Sequence, residues 1–135
     1  MKATCTSIFD AAPGDVEGIL HTTEVLRFIA APLILFTSRE RGGFPALWEP
    51  GKHRVFMWFL GFIPFGPQTV DISWGRDEAG DFWIRDDGSG LLVRRWDHRI
   101  TVRPAPDGKT LYTDNVEIGA GILTPFVWAF ASVFY

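Results

Sequence analysis

The stretch Arg94-Arg95-Trp96-Asp97-His98-Arg99-Ile100 places five charged or titratable side chains between apolar neighbours. A second strand-like stretch covers residues 110–118. Residues 104–109 separate the two stretches, and their prolines and Asp-Gly pair are typical of a turn. Two such stretches joined by a turn are expected to pair antiparallel, so we predict a β-hairpin at the centre of the fold.

The predicted hairpin has one polar face and one mostly apolar face. In the register that we expect, His98 lies directly opposite Asp114, and Arg94 shares their side of the hairpin. The other side is polar throughout and is expected to face solvent, with Arg95 and Glu117 as a cross-strand ion pair. Titratable groups on an inward face are uncommon, so His98, Asp114 and Arg94 are the informative residues of this hairpin.

The composition indicates a single domain that spans residues 1–135. Its unusual feature is the aromatic content of 12 Phe, 6 Trp and 2 Tyr, because aromatic side chains fill cores and also line pockets for small molecules. A net charge of −3 without a basic block argues against nucleic-acid binding. The single cysteine, Cys5, excludes an internal disulfide.

The N-terminal residues lack the basic and apolar regions of a signal peptide. The longest apolar stretches, residues 29–36 and 119–134, are interrupted by Pro or Gly and are short for a membrane span, which needs about 20 residues. We therefore expect a cytoplasmic protein without an integral membrane segment. A homodimer is an open alternative at this stage.

Local patterns predict a strand, two short helices, a meander of about six strands and a C-terminal helix. Pro13 and Asp15 are typical of the first turn of a helix, and Thr22 or Thr23 can cap a second short helix. Thr124 is placed to cap a final helix that is apolar nearly all round. Strands are expected at residues 2–10, 33–39, 53–60, 68–74, 81–86, 91–102 and 110–118, with a turn at residues 87–90. This order predicts the α+β class, with a curved antiparallel sheet of about six to seven strands wrapped around the C-terminal helix.

The order of elements, together with several local stretches, resembles the START-like superfamily, which is also called SRPBCC, Bet v 1-like or helix-grip. The stretch Phe9-Asp10-Ala11-Ala12-Pro13-Gly14-Asp15-Val16-Glu17 resembles the superfamily's entry into its first helix. The stretches at residues 64–68, 94–100 and 112–118 look like those of a bacterial branch. The resemblance covers the whole chain. One departure is that residues 124–135 are shorter than the usual last helix of the superfamily.

The resemblance implies a cavity between the sheet and the last helix that holds an apolar or aromatic small molecule. Members of the superfamily include lipid and sterol carriers, plant hormone receptors, polyketide aromatases and cyclases, and activators of chaperones. Because the same fold serves all of these functions, it does not choose among them.

The sequence lacks the common motifs of catalysis and metal binding, and their absence narrows the choice of function. There is no Gly-rich phosphate loop before a helix and no Gly-x-Ser-x-Gly nucleophile motif. His21, His53 and His98 lie far apart in sequence and lack the spacing of metal ligands. We therefore predict neither a cofactor nor a metal site.

The pair His98 and Asp114 is the remaining candidate for chemistry. A carboxylate beside an imidazole fixes its tautomer and raises its pKa, as a general acid or base requires. With Arg94, the pair could instead orient a carbonyl or phenol ligand, or it could be a structural network that stabilises the two strands. All three alternatives stay open at the level of the sequence.

Three hypotheses of function follow from these patterns. The first is the binding or carriage of a hydrophobic small molecule in the cavity, and the second is an aromatase or cyclase that uses His98 and Asp114. The third is a protein-interaction domain. The candidate ligand-binding residues are Trp48, Phe56, Trp58, Phe65, Gln68, Trp83, Arg94, Trp96, His98, Tyr112, Asp114 and Trp128.

Overall fold

The computed structural model describes residues 2–31 and 34–119, together with Gly121, Pro125 and Ala129. Seven antiparallel strands form one curved sheet in the order β1-β7-β6-β5-β4-β3-β2. The strands are β1 (Lys2–Phe9), β2 (Ile34–Ser38), β3 (Gly51–Phe59), β4 (Ile63–Arg76), β5 (Phe82–Gly90), β6 (Arg95–Pro104) and β7 (Thr110–Gly119). Strands β2 to β7 form a meander, and β1 completes the sheet by pairing with β7.

Two short helices follow β1, as predicted. Helix α1 (Pro13–Leu20) begins with proline and carries Asp15 in its first turn, where both residues suit the N-terminal end of a helix. Its residues Val16 and Leu20 are one turn apart and are both buried. Helix α2 (Thr23–Ala30) follows at once, with Thr22 at its N-cap position. The hydroxyl of Thr22 donates a hydrogen bond to the carbonyl of Ile19 at 2.7 Å, so it links the two helices.

The inner face of the sheet carries two apolar clusters. The first lies beneath α1 and includes Val16, Leu20 and Val55, the last of which is completely buried. The second lies toward the other end of β6 and β7 and includes Val116 and Ile118. Because residues of α1 belong to the first cluster, this helix is held on the inner face by apolar packing.

The hairpin of β6 and β7 forms as predicted, but its register is displaced by two residues. His98 pairs with Val116, and Asp114 pairs with Ile100. The displacement arises because the connection is shorter than predicted, with residues 105–109 and a short 3₁₀ turn, Pro106–Gly108, so that Thr110 pairs with Pro104. A shift of two residues leaves the side chains of the paired residues on their predicted faces.

Two predicted connections are wrong. Residues 87–90 belong to β5, and the turn between β5 and β6 is formed by residues 91–94, where the backbone N–H of Gly90 donates to the carbonyl of Val93 at 2.7 Å. Strand β4 begins at Ile63, so residues 63–67 are part of the sheet and do not form a loop. The register of the ladder between β3 and β4 shifts between Met57 and Trp58, next to the pair of Trp58 with Pro64, and such an irregularity tolerates proline.

The α+β class and the seven-stranded antiparallel sheet are therefore confirmed. Of the predicted final helix, Pro125 and Ala129 are helical and exposed. The predicted cap Thr124 and the candidate ligand residue Trp128 lie outside the described residues, and so does the predicted wrapping of the sheet around this helix.

Candidate functional site

A row of polar side chains crosses the inner face of the sheet between the two apolar clusters. It consists of Asp86 on β5, His98 on β6 and Asp114 on β7, and we call it the polar band. Its members come from three neighbouring strands and point to the same face. Along β6, for example, Ile100 belongs to the first cluster and Trp96 packs against the second, with His98 between them. Buried polar groups between apolar clusters require partners, and those of the band come both from within it and from the neighbouring residues Asp71 and Tyr112.

The contact between His98 and Asp114 is close and sheltered. The Nε2 atom of His98 lies 2.7 Å from Oδ1 of Asp114, and the two side chains are 14% and 7% exposed. The direction of the ring N–H does not meet hydrogen-bond geometry toward this oxygen, so the contact is an electrostatic pairing rather than an aligned hydrogen bond. The hydroxyl of Tyr112 donates to the other oxygen of Asp114 at 3.4 Å. Asp114 is thereby positioned behind the imidazole.

Asp86 lies on the other side of His98, directly across the β5–β6 pair. Its Oδ1 accepts a hydrogen bond from the backbone N–H of Asp71 at 2.8 Å. This hydrogen bond lies where the ladder between β4 and β5 is interrupted, because Val70 and Asp71 have no paired residue on β5. Gly88 makes the arrangement possible, since a Cβ atom on Gly88 would lie 3.0 Å from Oδ1 of Asp86.

Burial raises the pKa of the Asp86 carboxyl to about 7, because desolvation disfavours its charged form. The hydrogen bond from Asp71 and the charge of His98 oppose this rise, and the charges of Asp71 and Asp87 add to it. Near neutral pH, Asp86 can therefore carry either a proton or a negative charge.

The polar band borders a cavity of about 80 Å³ on the inner face. Apolar side chains from both helices, the sheet and the loop that contains Trp48 form most of its wall, and Asp86 and His98 contribute polar groups. The lining residues are Leu20, Thr22, Val25, Trp48, Val70, Ile72, Ile84, Asp86, His98, Ile100 and Tyr112. Trp48 is buried, and its backbone N–H donates to the carbonyl of His21 at 2.7 Å, which fixes it at the edge of α1.

Three of the predicted ligand residues, Trp48, His98 and Tyr112, line this cavity. Asp114 contacts His98 from behind. Of the other inner-face candidates, Phe65 and Trp96 pack against the second apolar cluster. Gln68 lies beside Gly90, where its amide oxygen fills the space of a missing side chain.

Three other predicted residues, Phe56, Trp58 and Trp83, lie away from the cavity. Phe56 and Trp58 alternate with the core residues of β3, and Trp58 donates from Nε1 to the exposed Thr37 hydroxyl at 3.0 Å. Trp83 is also on the outer face, where the Arg99 guanidinium lies 4.9 Å from its ring centroid.

Arg94 is exposed and precedes β6, so the prediction that it shares the inner face with His98 and Asp114 is wrong. It borders a hollow on the outer face together with Arg85 and Asp87. The physical reason is the later start of β6, which leaves Arg94 in the turn that follows β5. The predicted ion pair of the outer face is confirmed, with Arg95 Nη1 3.3 Å from Glu117 Oε1.

Asp86 is the functional candidate that the sequence did not identify. The signal was present, because Phe82, Ile84 and Asp86 alternate along one strand and therefore share a face.

The described residues hold no group of three or more His, Cys, Asp or Glu side chains arranged to bind a metal ion. Within the same part of the chain, none of the helices has the length and apolar character needed to cross a membrane. Neither observation bears on the choice of ligand.

Comparison with known proteins supports the fold. The chain is similar to the structure of a START superfamily protein from Mycobacterium smegmatis, with a TM-score of 0.63, 15% identity, and coverage of 96% of this chain and 86% of that one. It is also similar to protein Ms6760 from the same organism, with a TM-score of 0.59, 17% identity, and coverage of 95% and 78%. A structural genomics target from Nitrosospira multiformis gives a TM-score of 0.56, 13% identity, and coverage of 97% and 88%.

No protein-family model matches the chain, and no curated protein matches it in sequence. The likeness is thus one of architecture, and at these identities it shows the fold alone. The chain has a START-like fold, and its function must be argued from its own cavity.

Proposed function

We propose that the protein binds or carries an apolar or aromatic small molecule in the cavity beside the polar band. The observation that supports this proposal is that the wall of the cavity is mostly apolar and has polar groups on one side only. Seven of its lining residues are aliphatic or tryptophan, whereas Asp86 and His98 offer polar groups from one side. Apolar walls with a few convergent polar groups are typical of small-molecule sites.

The size of the cavity limits the ligand. A dry apolar cavity of about 150 Å³ can hold benzene, and the cavity here is about 80 Å³. A single aromatic ring or a short branched chain therefore fits after small movements of lining side chains such as Val25 and Trp48. A larger ligand requires displacement of the loop that carries Trp48.

Titration with toluene and benzyl alcohol tests the proposal directly. We expect saturable changes in the two-dimensional NMR signals of cavity residues such as Ile84 and Ile100. Val25→Trp should fill the cavity from α2 and weaken binding at least roughly tenfold, because overpacking excludes the ring. Ile19→Trp is the matched control, since Ile19 is 57% exposed on α1 and does not line the cavity.

Two results would contradict the proposal. One is the absence of saturable binding by either compound, and the other is equal binding by both tryptophan variants. Native mass spectrometry of the protein purified from its own host provides an independent test, because a retained small molecule would appear as added mass.

A second candidate function is acid–base catalysis of the aromatase or cyclase type. The position of His98 favours it, because the imidazole faces the cavity and Asp114 lies 2.7 Å behind it. The test reaction is the loss of water from a β-hydroxy ketone that carries a phenyl ring, which is followed by absorbance. His98→Gln should remove the activity and retain binding of benzyl alcohol. If the wild-type protein gives no rate above buffer, this candidate is wrong.

A further inference from the structure

The charges around the cavity are unbalanced. Among the described residues that line it, the ionisable groups that can carry charge near neutral pH are Asp86 and His98, and no Lys or Arg is present. Asp114 adds a second carboxylate behind the imidazole. Arg94, which could have neutralised an acidic ligand, lies in the turn that precedes β6 and borders the outer hollow. The described part of the site therefore lacks a permanent positive charge toward an anion.

From this arrangement, and on the basis of the proposed function, we propose that Asp86 determines specificity by selecting an uncharged hydroxyl group on an apolar ring or chain. The class of ligand is then an aromatic or branched alcohol or a phenol, and carboxylates are rejected. Asp86 acts here as a specificity-determining residue and not as a catalytic one.

The geometry gives the reason for a hydroxyl group. One oxygen of Asp86 is occupied by the N–H of Asp71 at 2.8 Å, which leaves the second oxygen for a ligand. A hydroxyl group can donate to this oxygen when the carboxyl is charged and can accept from it when the carboxyl is protonated. A carbonyl can only accept, so it pairs with the protonated acid alone. A buried ammonium group would need a permanently charged partner, which a desolvated carboxyl is poorly suited to provide.

The protonation state of Asp86 depends on all of the groups around it. His98 faces it from β6, Asp71 contacts it from β4, and Asp87 follows it on β5. His98 in turn faces Asp114. A negative ligand would thus meet one or two carboxylates and a single imidazole, and like charges in a poorly hydrated space repel strongly.

Four single-ring probes separate the contributions of shape, hydrogen bonding and charge. They are toluene, benzyl alcohol, benzylamine and benzoate, which share the ring and differ in one group. At about pH 8.5, we expect benzyl alcohol to bind up to roughly tenfold more tightly than toluene, which corresponds to one hydrogen bond. Benzoate should bind roughly a hundredfold more weakly than benzyl alcohol because of charge repulsion. Tightest binding by benzylamine would overturn the proposal.

The variant Asp86→Asn tests whether Asp86 is the residue that discriminates among the four probes. The amide oxygen of Asn can still accept from the N–H of Asp71, so the fold of β4 and β5 is retained while the charge is removed. We expect the preference of the variant for benzyl alcohol over benzoate to fall at least roughly tenfold, because the amide does not repel the anion. Asp87→Asn is the matched control, because it makes the same change one residue along, on the exposed outer face. It should stay close to the wild type toward all four probes, because the charge of Asp87 makes the smallest of the named contributions to the raised pKa of Asp86.

The pH dependence gives a second measurement that does not rely on a variant. Lowering the pH from about 8.5 to about 5.5 should improve the relative affinity for benzoate more in the wild type than in Asp86→Asn, because the variant lacks the carboxyl group of Asp86. Equal discrimination by the two proteins would overturn the selection by Asp86 while the binding of toluene and benzyl alcohol still supports the cavity. Failure of every probe to bind would instead contradict the proposed function itself.

Discussion

Replacement of Asp86 by asparagine should stabilise the protein, and the gain should grow with pH. The carboxyl has a pKa of about 7 in the folded protein, against an ordinary value of 3.8, because burial disfavours its charge. At about 1.4 kcal/mol for each tenfold change in proton affinity, this difference corresponds to about 4 kcal/mol. The folded state therefore binds the proton of Asp86 more tightly than the unfolded chain does.

The sign of the effect follows from this difference. Below about pH 4 the acid is protonated in both states and costs nothing by its charge. As the pH rises from about 4 to about 7, the unfolded chain loses the proton first, so the folded state is progressively destabilised, and above about pH 7 the loss is complete. Asp86→Asn has no such group. Its stability relative to the wild type should increase across this range, by up to about 4 kcal/mol, and then remain constant.

Urea unfolding measured at several pH values between about 4 and about 8.5 provides the assay. Asp87→Asn is the control, because Asp87 is exposed and its carboxylate lies 3.5 Å from Arg85 in a surface pair. The difference between this control and the wild type should vary little over the same range. The reasoning is refuted if the two asparagine variants show the same pH dependence, or if Asp86→Asn loses stability as the pH rises.

Three further predictions concern parts of the fold that support the site. Asp97→Asn should lower the free energy of unfolding by about 1 kcal/mol at neutral pH, because it breaks the paired hydrogen bonds of Arg85 at 2.8 and 2.7 Å. This difference should disappear in acid, because Arg85 lowers the pKa of Asp97 and the wild type loses the contribution as the pH falls through that pKa. Val55→Ala should cost about 2 kcal/mol in urea unfolding, because Val55 is fully buried in the first cluster. Gly88→Ala should lower the melting temperature, because its Cβ atom would lie 2.6 Å from the backbone carbonyl oxygen of Thr69 on β4. Gly18→Ala in α1 is the control, because its Cβ atom would meet nothing within 4 Å, and it should be neutral or slightly stabilising.

The helices and the face of each strand in the central hairpin could be predicted from local patterns. Pro13 and Asp15 mark the start of α1 through backbone chemistry that acts within one turn, so no distant contact was needed to recognise it. Alternation placed His98 and Asp114 on the inner face for a similarly local reason. The register was not predictable in this way, because a displacement of two residues preserves the faces and depends on the conformation of the connecting turn.

The turn between β5 and β6 was misplaced for a different reason. Gly88 and Gly90 look like turn residues in sequence, but their role is to let β4 approach closely. A side chain on Gly88 would collide with a carbonyl of β4, and one on Gly90 would occupy the position of the Gln68 amide. Glycine within a strand can mark either a close approach of another backbone or a bend, and only the neighbouring strand distinguishes the two. The displaced turn is also the reason that Arg94 left the predicted site.

The cost of burying Asp86 is itself an argument about function. A leucine at this position would extend the apolar surface that Ile84 begins and would avoid a penalty of about 4 kcal/mol. The carboxylate is only partly compensated by the N–H of Asp71, which the backbone ladder could have satisfied instead. Asp86 interrupts the backbone ladder, is poorly solvated and faces a cavity. Such a residue is unfavourable for the fold alone, and residues of this kind are typical of functional sites. If Asp86→Leu bound benzyl alcohol as well as the wild type does and were simply more stable, this argument would be wrong, because the carboxyl would then serve no ligand.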